Sequence, residues 1–440
     1  MSDAQTTGPT PGKNTGKNPG KNIGGDSSLP DDARIRILHA IEAIPAASWG
    51  RFAGTTRVSA SAACPDALAR RSATAGESPL PAYNPFVSHA FLWALEKSGS
   101  ATRQTGWAPH HLVLEDGQGT PLGAIACYLK NHSQGEYVFD YGWAEAFMRA
   151  GGDYYPKLQC SVPFTPVTGP RLLAPADNRR HAIQAALAGG LQAFAGQAGV
   201  SSAHVTFVPC DEIAIFKSAG FLHRTDQQFH FTNPGYGCYQ DFLDTLASRK
   251  RKALRKERNA ALGSGITIEW LSGKHLTENV WDAFYHFYMD TGSRKWGRPY
   301  LTRRFFSLIA ETMADDVLLI MARRNGAYIA GAINFIGGDC LYGRHWGCVE
   351  DHPFLHFEIC YHQAIDFAIE RGLARVEAGA QGEHKLARGY MPVTTHSAHF
   401  ITHPGLRRAV ADYLVHERED VARVSEILSD HGPFKKTGGQ

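Results

Sequence analysis

The chain has 440 residues, 43% of them hydrophobic, so it is long enough for two or three domains with packed cores. Its 45 basic residues against 42 acidic ones leave a net charge of +3, which excludes bulk charge as a means of attracting a polyanion; any anion site must come from local clustering. The eight cysteines form no CxxC pair, which argues against a zinc knuckle or dithiol motif and fits reduced thiols in a cytoplasmic protein; no apolar run is long enough to span a bilayer, and the first basic residues are followed by no apolar core, so no secretory signal is expected.

Residues 1–30 are nearly free of apolar side chains and carry a loose Gly-Lys-Asn repeat, which predicts a disordered tail. A helix is predicted from Asp31 to Ile44, then an Ala/Ser/Pro-rich loop over residues 53–82. NPFVSHAFLWALEKSG places Phe86, Ala90, Phe91 and Leu95 on one helical face, stopped by Gly99. HLVLEDGQGTPLGAIACYLK reads as two strands about an Asp-Gly turn, with EYVFDYGW and LQCSVPFTPV as further strands. A helix follows from Asp177, as N-cap, to Gln197, then the strand SAHVTFVP, a short helix at Glu212–Ala219 and the strand FLHRTDQQFHFTN.

The second half repeats this order. One basic helix is predicted from Gln240 to Leu262, an aromatic helix over Val280–Tyr288, and a third from Thr302. Three strands follow, the first two joined by Asn325-Gly326, then a helix over Leu355–Arg371 ended by Gly372, the strands ARVEAG and THSAHFIT, and a charged helix from Gly405 to Leu428. The pattern predicts an α/β fold of mixed sheets flanked by helices.

In the basic helix, Phe242, Leu243, Leu246, Ala253, Leu254 and Ala261 share one arc, while Arg249, Arg251, Lys252, Arg255, Lys256 and Arg258 face the other way. Six like charges repel one another, so the row suits a phosphate-rich ligand; a merely solvated face is the alternative. Arg294, Lys295 and Trp296 lie in a Gly/Pro-bounded loop and suit a stacked, anionic ligand. Arg344 and His345 stand on a strand with Trp346, Arg344 and Trp346 sharing a face by alternation. Glu358 and His362, and His396, His399 and His403, are close in sequence, but no metal site is expected from them.

The string DFLDTLASRKRKALRKERNAALGSGITIEW, followed by SRKWGRPYL, ARRNGAYIAGAINF and LYGRHWG, resembles the second domain of FemAB-type acyltransferases. NPFVSHAFLWALE, YYPKLQCSVPFTPVTGPRLL, LHFEICYHQAID and EAGAQGEHKLARGY resemble the FemAB-like predicted N-acyltransferases, a branch of the GNAT superfamily, over about Asn84 to Glu417. The resemblance implies two tandem GNAT-like domains, here placed at 31–238 and 239–432, with tails at 1–30 and 433–440. It also implies transfer of an acyl or aminoacyl group to an amine. In the Fem-type enzymes the donor is an aminoacyl-tRNA and the acceptor a peptidoglycan precursor.

In GAQGEHKLARGY, Gly379, Gly382 and Gly389 permit close backbone approach after a predicted strand. Lys385 resembles the family lysine that follows an aromatic and contacts anionic substrate groups; His384 stands where the aromatic would be. Glu383 and His384 are the nearest candidates for a general base, Lys385 and Arg388 for holding a phosphate or oxyanion, and Tyr390 closes the segment as a binding candidate. CVEDHPFLHFEI lacks the glycine loop that cradles the acetyl-CoA pyrophosphate, which lowers acetyl-CoA relative to an aminoacyl-tRNA donor and leaves another acyl-CoA geometry open; the expected co-substrate is an aminoacyl-tRNA or an acyl-CoA. No resident cofactor and no DNA partner are expected; tRNA and a small-molecule or peptide amine are the candidate partners. An acetyl-CoA-dependent acetyltransferase and a non-catalytic RNA-binding module are the alternatives.

Overall fold

The computed structural model describes residues 28–54, 82–263, 265–295, 299–379 and 382–435. Its strands are β1 (Arg34–Leu38), β2 (Trp107–Pro109), β3 (His111–Glu115), β4 (Pro121–Ile125), β5 (Tyr128–Lys130), β6 (Lys157–Cys160), β7 (Ser202–Val208), β8 (Leu222–Thr232), β9 (Thr267–Leu271), β10 (Val317–Arg324), β11 (Ala327–Ile336), β12 (Cys340–Cys348), β13 (Arg375–Glu377) and β14 (Met391–Ile401). The helices are α1 (Ala46–Ala53), α2 (His89–Lys97), α3 (Tyr141–Arg149), α4 (Arg180–Gln197), α5 (Cys210–Ser218), α6 (Tyr239–Thr245), α7 (Ser248–Leu262), α8 (Glu278–Lys295), α9 (Arg303–Met313), α10 (Leu355–Phe357), α11 (Gln363–Glu370) and α12 (Pro404–Asp430). A π turn, Glu358–His362, joins α10 to α11.

Strands β1, β3 and β4 form a small antiparallel sheet; the other eleven form one sheet in the order β2-β5-β6-β7-β14-β8-β13-β12-β11-β10-β9. Among the described residues each half contains one parallel pair. β6 runs parallel to β7 after a crossover through α4, and β12 runs parallel to β13 after a crossover through α10 and α11. Parallel neighbours need such helical crossovers, which is why helices cover the sheet. The hairpin of β10 and β11 turns on Asn325 and Gly326, both at positive φ (51° and 82°), as a two-residue turn requires.

Two features join the halves. β14 inserts between β7 and β8, antiparallel to both, so a strand from near residue 400 completes the sheet of the first half. An apolar core also runs from Trp49, Phe86 and Phe91 to Phe284, Phe305 and Phe335. Within it Phe86 meets Phe335 at 4.8 Å and Phe91 meets Phe305 at 5.6 Å between ring centroids.

Several sequence expectations are corrected. Residues 34–38 form a strand, not part of a helix over Asp31–Ile44. Arg-Ile-Arg-Ile-Leu alternates with period two, and Arg34 and Arg36 both reach Glu115 on β3 (3.1 and 2.8 Å). EYVFDYGW is not a strand. Tyr137 takes a positive φ of 62°, which breaks the extended run, and α3 begins at Tyr141. Arg179, not Asp177, is the N-cap of α4; the Asp177 side chain accepts from the Arg179 amide one turn earlier. The single basic helix is two, because Leu246 and Ala247 are extended between α6 and α7. Helix α8 continues through Lys295, so Arg294 and Lys295 stand on its last turn and not in a loop. The tail over residues 1–27 and the loop over residues 55–81 lie outside the described residues, as do 436–440.

Because β7 and β8 meet only through β14, a chain ending at Gly389 should lose cooperative unfolding of the first half. Hydrogen exchange across residues 202–232 would then show protection close to that of free peptide.

Candidate active site

The second parallel pair is short. Cys340, Leu341 and Tyr342 pair with Arg375, Val376 and Glu377, and the strands then part. At the parting point β12 carries a bulge: Ile333 faces His345, while Asn334 faces Gly343. Arg344 is the extra residue. The bulge overturns simple alternation, so Arg344 and His345 together border the gap. A cavity of about 80 Å³ lies there, lined by Asn334, Arg344, His345, Trp346, His356 and Tyr361 among others. Burial and the adjacent Arg344 pull the His345 imidazole down to about 4, so it is neutral at physiological pH.

The segment after β13 turns back on this gap. Gly382 and Gly389 bracket the short 3-10 turn Glu383–Arg388 at φ of 115° and 85°, values that favour glycine. Lys385 is 1% exposed and donates to Gly379 O at 2.8 Å. Burial, aided by the Arg344 charge, lowers its ammonium to about 7. His384 is exposed, and its Nε2 lies 2.8 Å from the Tyr361 hydroxyl.

Helix α7 supports this turn from behind. Glu257 grips Arg388 through Nε and Nη2 (2.8 and 2.6 Å) and pairs with His362 Nε2 (2.8 Å). Tyr239 meets the other nitrogen of His362 at 2.6 Å. Arg258 holds Glu358 bidentately (3.1 and 2.9 Å) and Asp366 at 2.6 Å. Burial alone would raise the Glu257 carboxyl; the bonds from His362 and Arg388 outweigh it and hold the pKa below the usual value.

These contacts revise the sequence reading. Arg258 points inward and is not part of the outer row, whereas Ala253 is exposed. Arg249, Lys252, Arg255 and Lys256 do face solvent, and Arg251 pairs with Asp244 at 2.9 Å. Arg388 is committed to Glu257 and to His384 O, and its guanidinium lies 3.4 Å over Phe357, so it is not free to take a phosphate. Tyr390 is buried among Phe231 and Tyr361 as core, away from any ligand-facing surface. Glu358 and His362 are spent on these internal pairs. Trp296 and the side chains of Glu383, Arg294 and Lys295 lie outside the described residues.

Sequence reasoning missed Glu257, Glu377 and Asn334, although each lies in a string that carries the resemblance, because their partners are set by register and by residues far along the chain. It also missed a buried cluster in the first half. Lys157 Nζ contacts Ser133 (2.8 Å), Glu136 (2.7 Å) and Asp140 (2.5 Å), with Tyr154 and His204 beside Asp140. Burial raises the Glu136 carboxyl to about 7. The signal was a lysine within the apolar run YYPKLQC. In the first half the gap beyond β6 and β7 is filled by the chain. Arg171 donates to Thr206 O, Gly169 O and Val167 O (3.0, 3.0 and 2.6 Å), and the Glu212 carboxylate accepts from the amides of Arg171 and Leu172.

The described residues form mixed sheets flanked by helices, with one parallel pair in each half. The FemAB-like model, described as peptidoglycan biosynthesis/recognition, matches residues 40–436, and the chain belongs to that family. Among solved structures it is similar to FemX at 12% identity, over 72% of this chain and 93% of that one, with a TM-score of 0.46. It is similar to the C-terminal domain of a putative lysylphosphatidylglycerol synthetase from Agrobacterium fabrum at 11% identity, over 73% and 96%, with a TM-score of 0.46. A tandem GNAT protein from the clavulanic acid biosynthesis pathway is similar at 12% identity, over 84% and 99%, with a TM-score of 0.42. No curated protein matches the chain.

Glu257→Gln should cost about 3 kcal/mol in chemical denaturation at neutral pH, since it leaves Arg388 unpaired against Phe357. The folded pKa of Glu257 is depressed, so its stabilisation is present above pH of about 4.5 and is lost as pH falls through the lower folded value. The gap between wild type and variant should close over that acid range.

Proposed function

We propose that the chain transfers an acyl or aminoacyl group from an activated donor to an amine at the gap between β12 and β13. The observation that carries this reading is Lys385, buried on the turn that follows β13, near the Arg344 charge, with its ammonium lowered to about 7. An acceptor amine arrives protonated and has no lone pair to attack with. A lysine that is half neutral at pH 7 takes that proton, which the exposed surface lysines, at about 10.4, do not. The freed amine attacks the donor carbonyl, and a C–N bond forms. As the tetrahedral intermediate collapses, the ester C–O bond breaks and the second amine proton goes to the leaving alkoxide.

The favoured donor is an aminoacyl-tRNA. The solvent face of α7, with Arg249, Lys252, Arg255 and Lys256, offers a row of cations for a phosphate backbone. The turn before α10 presents Pro353 and the partly exposed Phe354 in place of glycine amides, which disfavours a pyrophosphate there. The acceptor is an amine of the kind found in cell-wall precursors, in keeping with the family.

Incubation with charged tRNA and with acyl-CoA, each with a panel of amines, tests the reading. Amine-dependent loss of the aminoacyl ester supports it, thiol release alone would move the donor to acyl-CoA, and binding without transfer would leave an RNA-binding module. The rate should rise with pH through about 7 and then level off. Lys385→Met should lower it by about 10²–10⁴ and remove that limb from the pH profile.

Replacing Arg249, Lys252, Arg255 and Lys256 with Gln should weaken tRNA binding. The slope of log K against log salt should become shallower by about 0.7–0.9 for each phosphate that is no longer neutralised. Transfer from a short aminoacyl ester should be unaffected.

A further inference from the structure

The gap between β12 and β13 holds a buried guanidinium whose hydrogen-bonding edge the fold leaves open among the described residues. The Arg344 side chain is 3% exposed. Its guanidinium stacks 4.6 Å from Phe86 and 5.4 Å from Tyr342, and Nη1 donates to Gly343 O at 2.8 Å. Nε and Nη2 are buried and have no hydrogen-bond partner among the described residues. Those two atoms form the edge with which a guanidinium takes a carboxylate side-on. The protein uses this same edge elsewhere. Arg258 holds Glu358, Arg224 holds Glu417 and Arg388 holds Glu257, each through Nε and Nη2 at 2.6–3.1 Å.

One acceptor stands beside the open edge, and a second lines the cavity. Glu377 Oε2 lies 4.0 Å from Arg344 Nη2, beyond hydrogen-bonding distance, and is itself buried without a partner among the described residues. Asn334 Oδ1, which lines the same cavity, is likewise buried and unpartnered among them. Buried polar atoms are almost always paired, so an open donor edge with an open carboxylate oxygen beside it, and an open amide oxygen on the cavity that Arg344 also lines, point to a ligand. The cavity, about 80 Å³, accepts a head group of a few heavy atoms and not a nucleotide.

We infer that Arg344, Glu377 and Asn334 form a recognition site for the α-amino-carboxylate head group of the acceptor, the guanidinium edge taking the carboxylate and the two side-chain oxygens taking the ammonium. The inference rests on the amine-acylation reading above and gives it a substrate class: an amino acid, free or with its head group exposed on a larger molecule. An aminoacyl donor is esterified and has no carboxylate to offer, so the carboxylate belongs to the acceptor. Glu377 beside the fork also disfavours a phosphate, whose second charge it would repel.

The test is binding to the full chain without donor, by calorimetry, using glycine, L-alanine and D-alanine against alaninamide, propionate, ethylamine and inorganic phosphate. At least one of the three amino acids should bind, and alaninamide, propionate and ethylamine should each bind about tenfold more weakly or worse. Arg344→Lys keeps the charge but loses the fork, and should reduce amino-acid binding at least tenfold while the unliganded protein keeps its circular dichroism spectrum. Glu377→Gln should retain propionate binding and lose the preference for an amino acid over propionate. Equal binding of alanine and alaninamide overturns the inference, as does tighter binding of phosphate. Absence of amino-acid binding also overturns it, because Arg344 and Glu377 would then serve only each other. Since no donor is present, failure of transfer with every donor would remove the proposed reaction and leave this discrimination standing.

Discussion

Where two parallel strands part, each loses a row of backbone partners, and that opening must be filled because buried polar groups are costly to leave unpaired. The two halves of this protein answer that constraint differently. Beyond β6 and β7 the chain fills the opening itself, with Arg171 spending its guanidinium on four carbonyls and Glu212 capping two amides. Beyond β12 and β13 the opening holds side chains and a small cavity, and Arg344 keeps its carboxylate-binding edge unspent among the described residues. One half is sealed by its own residues, and the other is left with chemistry to offer.

The support for the open half comes from the inner face of α7. A helix reading SRKRKALRKER repels itself along its outer row. Glu257 and Arg258 turn the other way and anchor it, one to Arg388 and His362, the other to Glu358 and Asp366. These anchors hold the π turn and the 3-10 turn that carries Lys385. The helix is therefore both the candidate surface for a polyanion and the back wall of the site.

Much of this was legible in the sequence. Long periodic segments such as α4 and α12, the Asn325-Gly326 hairpin and the strand SAHVTFVP carry strong local signals, and the structure follows them. The resemblance centred on EAGAQGEHKLARGY led to the turn that bears Lys385. The misses have physical causes. RIRIL is five residues long, and it is a strand because β3 and Glu115 lie opposite, a non-local fact. EYVFDYGW alternates convincingly but is broken by one positive φ at Tyr137. The bulge at Arg344 depends on register against β11, which no single strand reveals. The inward turn of Arg258 depends on acids a hundred residues away.

The placement of β14 has a consequence in time. β8 ends at Thr232, and its neighbour β14 spans residues 391–401. At about 5–20 residues per second, ribosomal synthesis leaves β7 and β8 waiting roughly ten seconds or more for the strand that joins them. For that interval two strand edges, the β7 edge largely apolar, stand open to any other chain within reach. The burden of this architecture therefore falls on the nascent protein, which depends on the cell to shield a half-built sheet.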